Sequence, residues 1–339
     1  MKTILKLVLA TLCCFAGLDG ARAQSRLVVY TTLEQEFLDG FRKAFEADNP
    51  DIQVDFLRDA TGVITARLQA EKATPRADAI WGLAVTSTMV LDAEGILHPY
   101  RPVHFDQLRP VFRDPKPDPA WFGMEAWSAA VCFNTVEAAK RGLPVPRTWE
   151  DLAGPAFRGL VQMPNPASSG TGFFHVSGWI QMMGEEKAWA FMDRLHQNVA
   201  SYVHSGSKPC RDAATGEFPV GIAYELLGAQ LKTRGAPIET LVMAEGGGWD
   251  MDVFAIVRGT RNLEAAKRLA DWASSRKANE MYAAFATQVA WPGIENRMPN
   301  YPPGVAESLI RNDFAWAAAN RARILAEWTR RYDGKSAPK

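Results

Sequence analysis

A loop rich in hydroxyl groups gives the sharpest chemical signal in this sequence. Residues 163–172 read Met-Pro-Asn-Pro-Ala-Ser-Ser-Gly-Thr-Gly and lie between a predicted strand and a predicted helix. Unpaired N–H groups at the start of a helix, together with Ser and Thr hydroxyls, can bind an anion. The glycines would let the backbone approach a tetrahedral oxyanion closely. An ordinary helix-capping loop is the alternative. The candidate anion-binding residues are Ser168, Ser169, Gly170 and Thr171.

A second loop, residues 205–210, reads Ser-Gly-Ser-Lys-Pro-Cys. Its small hydroxyl residues could cap a helix or bind an anion, and Lys208 could add positive charge. A simple turn explains the same residues equally well. Ser205 and Ser207 are therefore candidates on the same grounds as the first loop.

Acidic residues beside aromatic ones form a third group. A carboxylate next to an aromatic face is a common way to bind an ammonium ion. Each acid could also be a solvated side chain, and each ring a core residue. The candidates are Glu34, Glu125, Trp127, Tyr224, Glu225, Trp249 and Asp250.

The sequence offers no support for catalysis, a cofactor or a metal ion. The chain's five histidines do not have metal-ligand spacing, and there is no Gly-x-Ser-x-Gly segment. Cys132 lies in an apolar run, which favours a buried thiol, although a disulfide with Cys210 stays open in an oxidising compartment. We predict no catalytic residue, no metal ligand and no cofactor.

Strands and helices alternate along the chain after its first residues. Residues 27–30, 52–56 and 77–81 are predicted strands, and helices with apolar residues at helical spacing lie between them. This order predicts an α/β fold with a parallel sheet, in which ligands bind at the carboxyl ends of strands. Three further candidates follow those strands or end them: Thr32, Thr61 and Trp81.

The N-terminus indicates export. Lys2 and Lys6 precede an apolar run, and Ala-Arg-Ala at residues 21–23 ends it, as in a cleaved signal peptide. A membrane anchor is the alternative, but spanning a bilayer needs about 20 apolar residues. Lysine and arginine number 38 and aspartate and glutamate also 38, so no basic surface for nucleic acid is predicted. We predict a periplasmic protein.

Several segments together resemble the 2-aminoethylphosphonate-binding subfamily of ABC-transporter solute receptors, which is related to ferric-iron receptors. These segments are residues 30–34, 61–68, 77–83, 123–127, 131–135, 163–172 and 205–210. The resemblance implies a two-lobed periplasmic-binding-protein fold of the two-crossover type, with a ligand cleft between the lobes. It implies a zwitterionic aminoalkylphosphonate ligand, ABC permease subunits as partners, and a monomer that is not an enzyme. The hydroxyl-rich loops would bind the phosphonate. The candidates for its ammonium group would be Glu34, Glu125, Glu225 and Asp250.

On this basis residues 1–23 are the signal peptide and 24–127 the first part of lobe 1. Lobe 2 spans 128–250, and residues 251–339 complete lobe 1 and the hinge. The resemblance departs from the ferric-iron receptors at Tyr224-Glu225, where those relatives have adjacent tyrosines. Another small solute stays open: ferric ion, a phosphate ester, a polyamine or an amino acid. An exported hydrolase has the least support, because no nucleophile with an acid–base partner can be assembled.

Overall fold

The computed structural model describes residues 24–286, 288–295 and 298–338. The strands are β1 Ser25–Thr31, β2 Ile52–Arg58, β3 Ala79–Ala84, β4 Leu97–His98, β5 Trp121–Asn134, β6 Val161–Pro164, β7 Val199–Val203, β8 Val220–Tyr224, β9 Ile238–Leu241, β10 Trp249–Val257 and β11 Gln288–Val289. The helices are α1 Gln35–Asp48, α2 Thr61–Ala70, α3 Val85–Ala93, α4 Thr135–Arg141, α5 Trp149–Ala153, α6 Gly170–Met183, α7 Glu185–Asn198, α8 Lys208–Thr215, α9 Glu225–Thr233, α10 Leu263–Ala273, α11 Arg276–Tyr282, α12 Val305–Ser308 and α13 Phe314–Tyr332.

Lobe 1 is a sheet in the order β2-β1-β3-β10-β5, with helices packed on it. Strand β1 pairs in parallel with β2 and β3, whereas β10 runs antiparallel to β3 and β5. Helix α1 buries Leu38, Phe41 and Phe45, whose helical spacing places them on one face against this sheet. The alternating strands and helices of the predicted first lobe are therefore present.

Lobe 2 contains a second sheet, in the order β5-β8-β6-β7, with β9 also paired to β5. Strand β6 is parallel to β7 and β8. Its core is aromatic: Trp149 and Trp179 have ring centroids 5.2 Å apart, and Trp179 lies 5.1 Å from Phe191. The large buried rings join helices α5, α6 and α7 into one layer.

Strand β5 belongs to both sheets. Its first half pairs with β10 in lobe 1, and its second half pairs with β8 and β9 in lobe 2. The predicted boundary between the lobes, at residue 128, falls inside β5, which begins at Trp121. Almost every residue of β5 is buried, so its pattern lacks the alternation that marks a half-exposed strand.

The C-terminal residues, predicted to complete lobe 1 and the hinge, contact both lobes. Helices α10 and α11 join the lobe 1 core. Helix α13 packs against α3 of lobe 1, and its apolar stripe also joins the lobe 2 core, where Trp328 meets Tyr202 at a ring-centroid distance of 4.8 Å. The chain therefore crosses between the lobes a third time, between β11 and α13.

Cys132 on β5 and Cys210 on α8 form a disulfide, with their Cα atoms 5.2 Å apart. This corrects the sequence preference for a buried thiol. Helix α8 lies so close to β8 that a side chain at Gly221 would overlap the carbonyl oxygen of Pro209. The bridge therefore fixes α8 against the sheet of lobe 2.

The predicted signal peptide, residues 1–23, lies outside the described residues. Among the helices that the structure does describe, none has the length and apolar character needed to cross a membrane.

We expect the disulfide to contribute substantially to the stability of lobe 2. It closes a sequence separation of 78 residues, and losing such a bridge typically lowers the free energy of unfolding by about 2–5 kcal/mol. Denaturant unfolding should compare the oxidised protein with the reduced protein and with the double variant Cys132→Ser/Cys210→Ser. Equal unfolding midpoints in all three samples would contradict this prediction.

Candidate ligand-binding site

A cavity of about 400 Å³ lies between the two lobes, at the carboxyl ends of strands from both sheets. Its walls come mainly from strands β5 and β10 and from residues at or just after the carboxyl ends of β1, β2, β6, β7 and β8. The lining residues are Thr32, Leu33, Glu34, Phe37, Arg58, Asp59, Ala60, Thr61, Glu125, Trp127, Ser169, Gly170, Thr171, His204, Ser205, Gly206, Ser207, Tyr224, Leu226, Gln230, Asp252 and Phe285.

One end of the cavity is built from the N-termini of helices. Ser169 caps α6, its hydroxyl accepting a hydrogen bond from the Gly172 N–H at 3.3 Å, and Thr171 lies in the first turn. The first turn of α6 carries no acidic residue that would oppose an anion. Thr61 begins α2, and at the start of α8 the Ser205 hydroxyl accepts hydrogen bonds from the Ser207 and Lys208 N–H groups, each at 3.3 Å. The positive ends of three helix dipoles therefore face this part of the cavity.

Close backbone packing brings these helix starts together. A Cβ atom at Gly206 would lie 2.5 Å from the Thr171 hydroxyl and 3.0 Å from the Ser169 hydroxyl. A Cβ at Gly170 would lie 2.9 Å from the Thr61 hydroxyl. Glycine at these positions lets hydroxyl groups from both lobes gather around one point, as an oxyanion site requires. We call Thr61, Ser169, Thr171, Ser205 and Ser207 the hydroxyl cluster.

Ser168 lies just behind this cluster and is not a lining residue. Its hydroxyl is 3.0 Å from Nδ1 of His204, whose Nε2 is 3.0 Å from the carbonyl oxygen of Ala337. Since a carbonyl only accepts, Nε2 donates to Ala337 and Nδ1 accepts from Ser168. The C-terminal residues thus fix the tautomer of His204 and support the loop, and the hydroxyl of Ser168, a predicted ligand-binding residue, contacts His204 behind the cavity wall.

Another part of the cavity lining carries two buried acids. Glu125 on β5 and Asp252 on β10 are cross-strand neighbours, only 3% and 7% exposed, and their carboxyl groups are hydrogen-bonded to each other. Burial raises the pKa of Glu125 well above its usual value, and the neighbouring Asp252 raises it further. Burial also raises the pKa of Asp252, to about 6. An ammonium group placed here would relieve the cost of two buried acids.

Glu34 lines the cavity but already has basic partners. It accepts a hydrogen bond from Arg58 at 3.0 Å and lies 3.5 Å from Arg211 of lobe 2. Because two guanidinium groups already neutralise the charge of Glu34, a ligand's ammonium would gain less electrostatic energy there than beside Glu125 and Asp252. Arg58 also places a positive charge on the cavity wall.

Aromatic side chains cover the space between the two ends. Phe37 and Phe285 stack with ring centroids 4.3 Å apart, and both line the cavity. Trp127 packs edge-on against Phe174 at 6.0 Å. Tyr224 also lines the cavity, and burial raises the pKa of its hydroxyl well above the usual value. These walls exclude water and strengthen electrostatic interactions inside the cavity.

Four further sequence candidates lie outside the cavity lining, and their contacts explain why. Trp81 is fully buried in the lobe 1 core, where its indole N–H donates to the Tyr282 hydroxyl at 3.1 Å. Trp249 donates to the carbonyl oxygen of Ile310 at 2.9 Å. In both cases the polar edge of the ring is occupied by a protein acceptor.

The two acids among them have backbone partners. Asp250 accepts hydrogen bonds from the Val85 N–H at 3.1 Å and the Thr86 hydroxyl at 2.8 Å, which fixes the start of α3. Glu225 accepts from the Ser128 N–H at 2.7 Å and the Tyr301 hydroxyl at 3.2 Å. Burial raises the pKa of each carboxyl group to about 7. Asp250 thus links β10 to α3, and Glu225 links α9 to β5 and to Tyr301, and neither acid lines the cavity.

Sequence reasoning missed several lining residues, above all Asp252, Arg58 and His204. Asp252 had a detectable signal, because it is an acid within an otherwise apolar strand and lies two residues after a chosen candidate. Arg58 ends β2 at the predicted carboxyl edge and could have been selected by the same rule as Thr32.

The lobes contact each other beside the hydroxyl cluster. The Gly62 N–H of lobe 1 donates to the Ser168 carbonyl oxygen of lobe 2 at 2.8 Å. Arg234 of lobe 2 pairs with Glu36 of lobe 1 at 3.2 Å. Within the described part of the chain, no group of three or more His, Cys, Asp or Glu side chains could hold a metal ion.

Comparison with known proteins places this geometry in context. The family model of bacterial extracellular solute-binding proteins matches residues 86–320. An uncharacterized protein of Haemophilus influenzae is 34% identical over 284 residues, covering 82% of each chain. A probable ABC transporter periplasmic-binding protein of Sinorhizobium fredii, y4fP, is 23% identical over 246 residues, covering 70% of this chain and 66% of its own.

Solved structures share the whole fold. The periplasmic binding protein AfuA from Actinobacillus pleuropneumoniae, with exogenous fructose-6-phosphate bound, matches with a TM-score of 0.86 and 30% identity, covering 91% of this chain and 99% of AfuA. Apo ferric ion-binding protein A of Pasteurella haemolytica matches with a TM-score of 0.74 at 19% identity, covering 93% and 100%. The predicted α/β periplasmic-binding-protein fold is therefore confirmed.

We expect Gly62→Ala to hold the lobes apart. The new methyl group would overlap the carbonyl oxygen of Ala167 and approach the Ser168 Cα to 2.9 Å, so the hydrogen bond between the lobes could not form. Small-angle X-ray scattering should show a larger radius of gyration than for the unmodified protein. Gly40→Ala is the matched control, because its methyl group would meet only the end of Met281 at 4.0 Å. Identical radii for the two variants would count against the lobe contact.

Proposed function

This chain belongs to the bacterial extracellular solute-binding protein family, and from that premise we propose that it is the periplasmic receptor of an ABC importer. The family is non-enzymatic, and the cavity accordingly provides groups that bind a solute. The name of the Sinorhizobium fredii relative, a probable ABC transporter periplasmic-binding protein, supports the assignment to a transporter. Closure of two lobes around the solute would present the permease subunits with a ligand-stabilised shape.

The proposed ligand is 2-aminoethylphosphonate or a close aminoalkylphosphonate. The observation that carries this proposal is the opposite chemistry of the two ends of one cavity. The hydroxyl cluster and three helix N-termini favour a tetrahedral anion, whereas the pair Glu125 and Asp252 favours a cation. A short zwitterion with a phosphonate and an ammonium group matches both ends at once.

The binding free energy would come from charge-assisted hydrogen bonds in a cavity with aromatic walls. Such bonds are shorter and stronger than neutral ones, and low local polarity strengthens them further. Arg58 would add attraction for the phosphonate from the side of lobe 1. The resemblance of the loops at residues 163–172 and 205–210 to the aminoethylphosphonate receptors supports the same ligand class.

A phosphate ester of a sugar is the second candidate. AfuA, which is 30% identical to this chain, was solved with fructose-6-phosphate bound. A cavity of about 400 Å³ has room for more than a two-carbon tail. The hydroxyl cluster would serve a phosphate as well as a phosphonate, and sugar hydroxyls could donate hydrogen bonds to Glu125 and Asp252.

Calorimetry with three ligands distinguishes these candidates. We expect one-to-one binding of 2-aminoethylphosphonate to the ligand-stripped mature protein, and weaker binding of ethylphosphonate, which lacks the amine. Fructose-6-phosphate tests the sugar-phosphate alternative. Preference for the sugar phosphate over the aminophosphonate would overturn the proposed ligand and keep the receptor function.

The two ends should respond differently to substitution. Asp252→Asn should weaken 2-aminoethylphosphonate by about 10–150-fold, the equivalent of a lost hydrogen bond to a charged group, and should leave ethylphosphonate nearly unaffected. Glu150→Gln is the matched control, because Glu150 lies on the surface of α5, paired with Arg194 and away from the cavity. Equal losses of affinity for both ligands would show that Asp252 does not bind the amine.

Ser169→Ala and Thr171→Ala should each weaken both ligands, by roughly 1–3 kcal/mol, because each removes a hydroxyl from the phosphonate end. Competition binding with either ligand measures the loss. Unchanged affinity in both variants would remove the hydroxyl cluster from the proposed site.

A further inference from the structure

Glu125 and Asp252 form an unusual carboxyl pair. The two residues face each other across strands β5 and β10, line the cavity, and bond through their side chains. Within the described chain, the Oδ1 atom of Asp252 is buried without a hydrogen-bond partner. Asp250 and Glu225 differ in this respect, because backbone N–H groups donate to both.

The surroundings of the pair are acidic. The groups that act most strongly on Glu125 from the neighbouring elements are Asp252 and Asp250 of β10 and Glu225 of α9. Tyr224 of β8 and Tyr282 of α11 also interact electrostatically with Glu125, and Arg321 of α13 acts on Asp250. Two neighbouring carboxyl groups buried at the cavity wall disfavour a second negative charge, so the pair is expected to share one proton when no cation is bound.

We propose that Glu125 and Asp252 exchange this shared proton for the ammonium group of the ligand. The inference rests on the proposed function, because it requires an amine-bearing ligand. The exchange is balanced: one ammonium enters, both carboxyl groups become carboxylates, and the proton on Glu125 leaves for the solvent. Ligands with a neutral tail leave the proton in place.

The exchange makes capture depend on pH. Since the bound state has lost a proton, raising the pH favours binding of the ammonium. The affinity should rise about tenfold per pH unit from near pH 6, the pKa of Asp252, up to the raised pKa of Glu125. The receptor would thus select ligands with cationic tails by releasing a proton, which an acidic surface that is already ionised does not do.

Proton release can be counted by calorimetry. Binding of 2-aminoethylphosphonate is measured at pH 7 in phosphate-free buffers of low and high ionisation enthalpy. The unmodified protein and the surface control Glu150→Gln should each release about one more proton than Glu125→Gln. The phosphonate's own ionisation is the same in each titration and cancels. Equal proton release in all three proteins would overturn the exchange.

Infrared spectroscopy tests the shared proton independently of affinity. Asp250 and Glu225, with pKa values of about 7, also contribute carboxylic-acid carbonyl bands at pH 7, so the readout is a difference between spectra. The ligand-free protein should show one more carboxylic-acid group than Glu125→Gln, and binding of 2-aminoethylphosphonate should remove that difference. No difference between the two ligand-free proteins, or a difference that persists in the complexes, would overturn the inference. A difference between the ligand-free proteins combined with no binding heat from the aminophosphonate would refute the proposed ligand while supporting the shared proton.

Discussion

The continuous strand β5 is the constraint on which both ends of the cavity depend. Its lobe 1 half places Glu125 opposite Asp252 on β10, and its lobe 2 half carries Cys132, which bonds to Cys210 of α8. Helix α8 in turn begins beside Ser207 of the hydroxyl cluster. One strand therefore determines where the cation end lies and where part of the anion end is held. A break in β5 would uncouple the two ends.

The parallel strands of each lobe place helix N-termini at the anion end of the cavity. A strand that leads into a helix at its carboxyl end brings the helix N-terminus to the edge of the sheet. Because both lobes direct this edge at the same cleft, α2 of lobe 1 and α6 and α8 of lobe 2 start around one point. The hydroxyl cluster then adds specific donors to a field that the topology already provides. The acids had to be added separately, from strands β5 and β10.

Much of this arrangement could be predicted from the sequence, because it depends on local patterns. The predicted strands at 27–30 and 52–56 lie within β1 and β2, and the loop at 163–172 does lead from a strand into a helix, α6. The choice among acids could not be predicted. Asp250 and Asp252 are two residues apart on β10, so the alternation of side chains along a strand places them on the same face. The start of α3 donates two hydrogen bonds to Asp250, however, and so satisfies its carboxylate. That contact joins residues 165 positions apart, and no local pattern contains it.

The contrast between the buried acids separates support from binding. Asp250 and Glu225 each receive hydrogen bonds from backbone N–H groups, which offset part of the cost of burying a charge. Glu125 and Asp252 are neighbours across the strands, and Asp252 makes ionisation of Glu125 less favourable. A protein that needed acids only for structure would give this pair donors as well. Burial without donors therefore leaves an unfavourable energy at the cavity wall, which the cationic group of the proposed ligand would relieve.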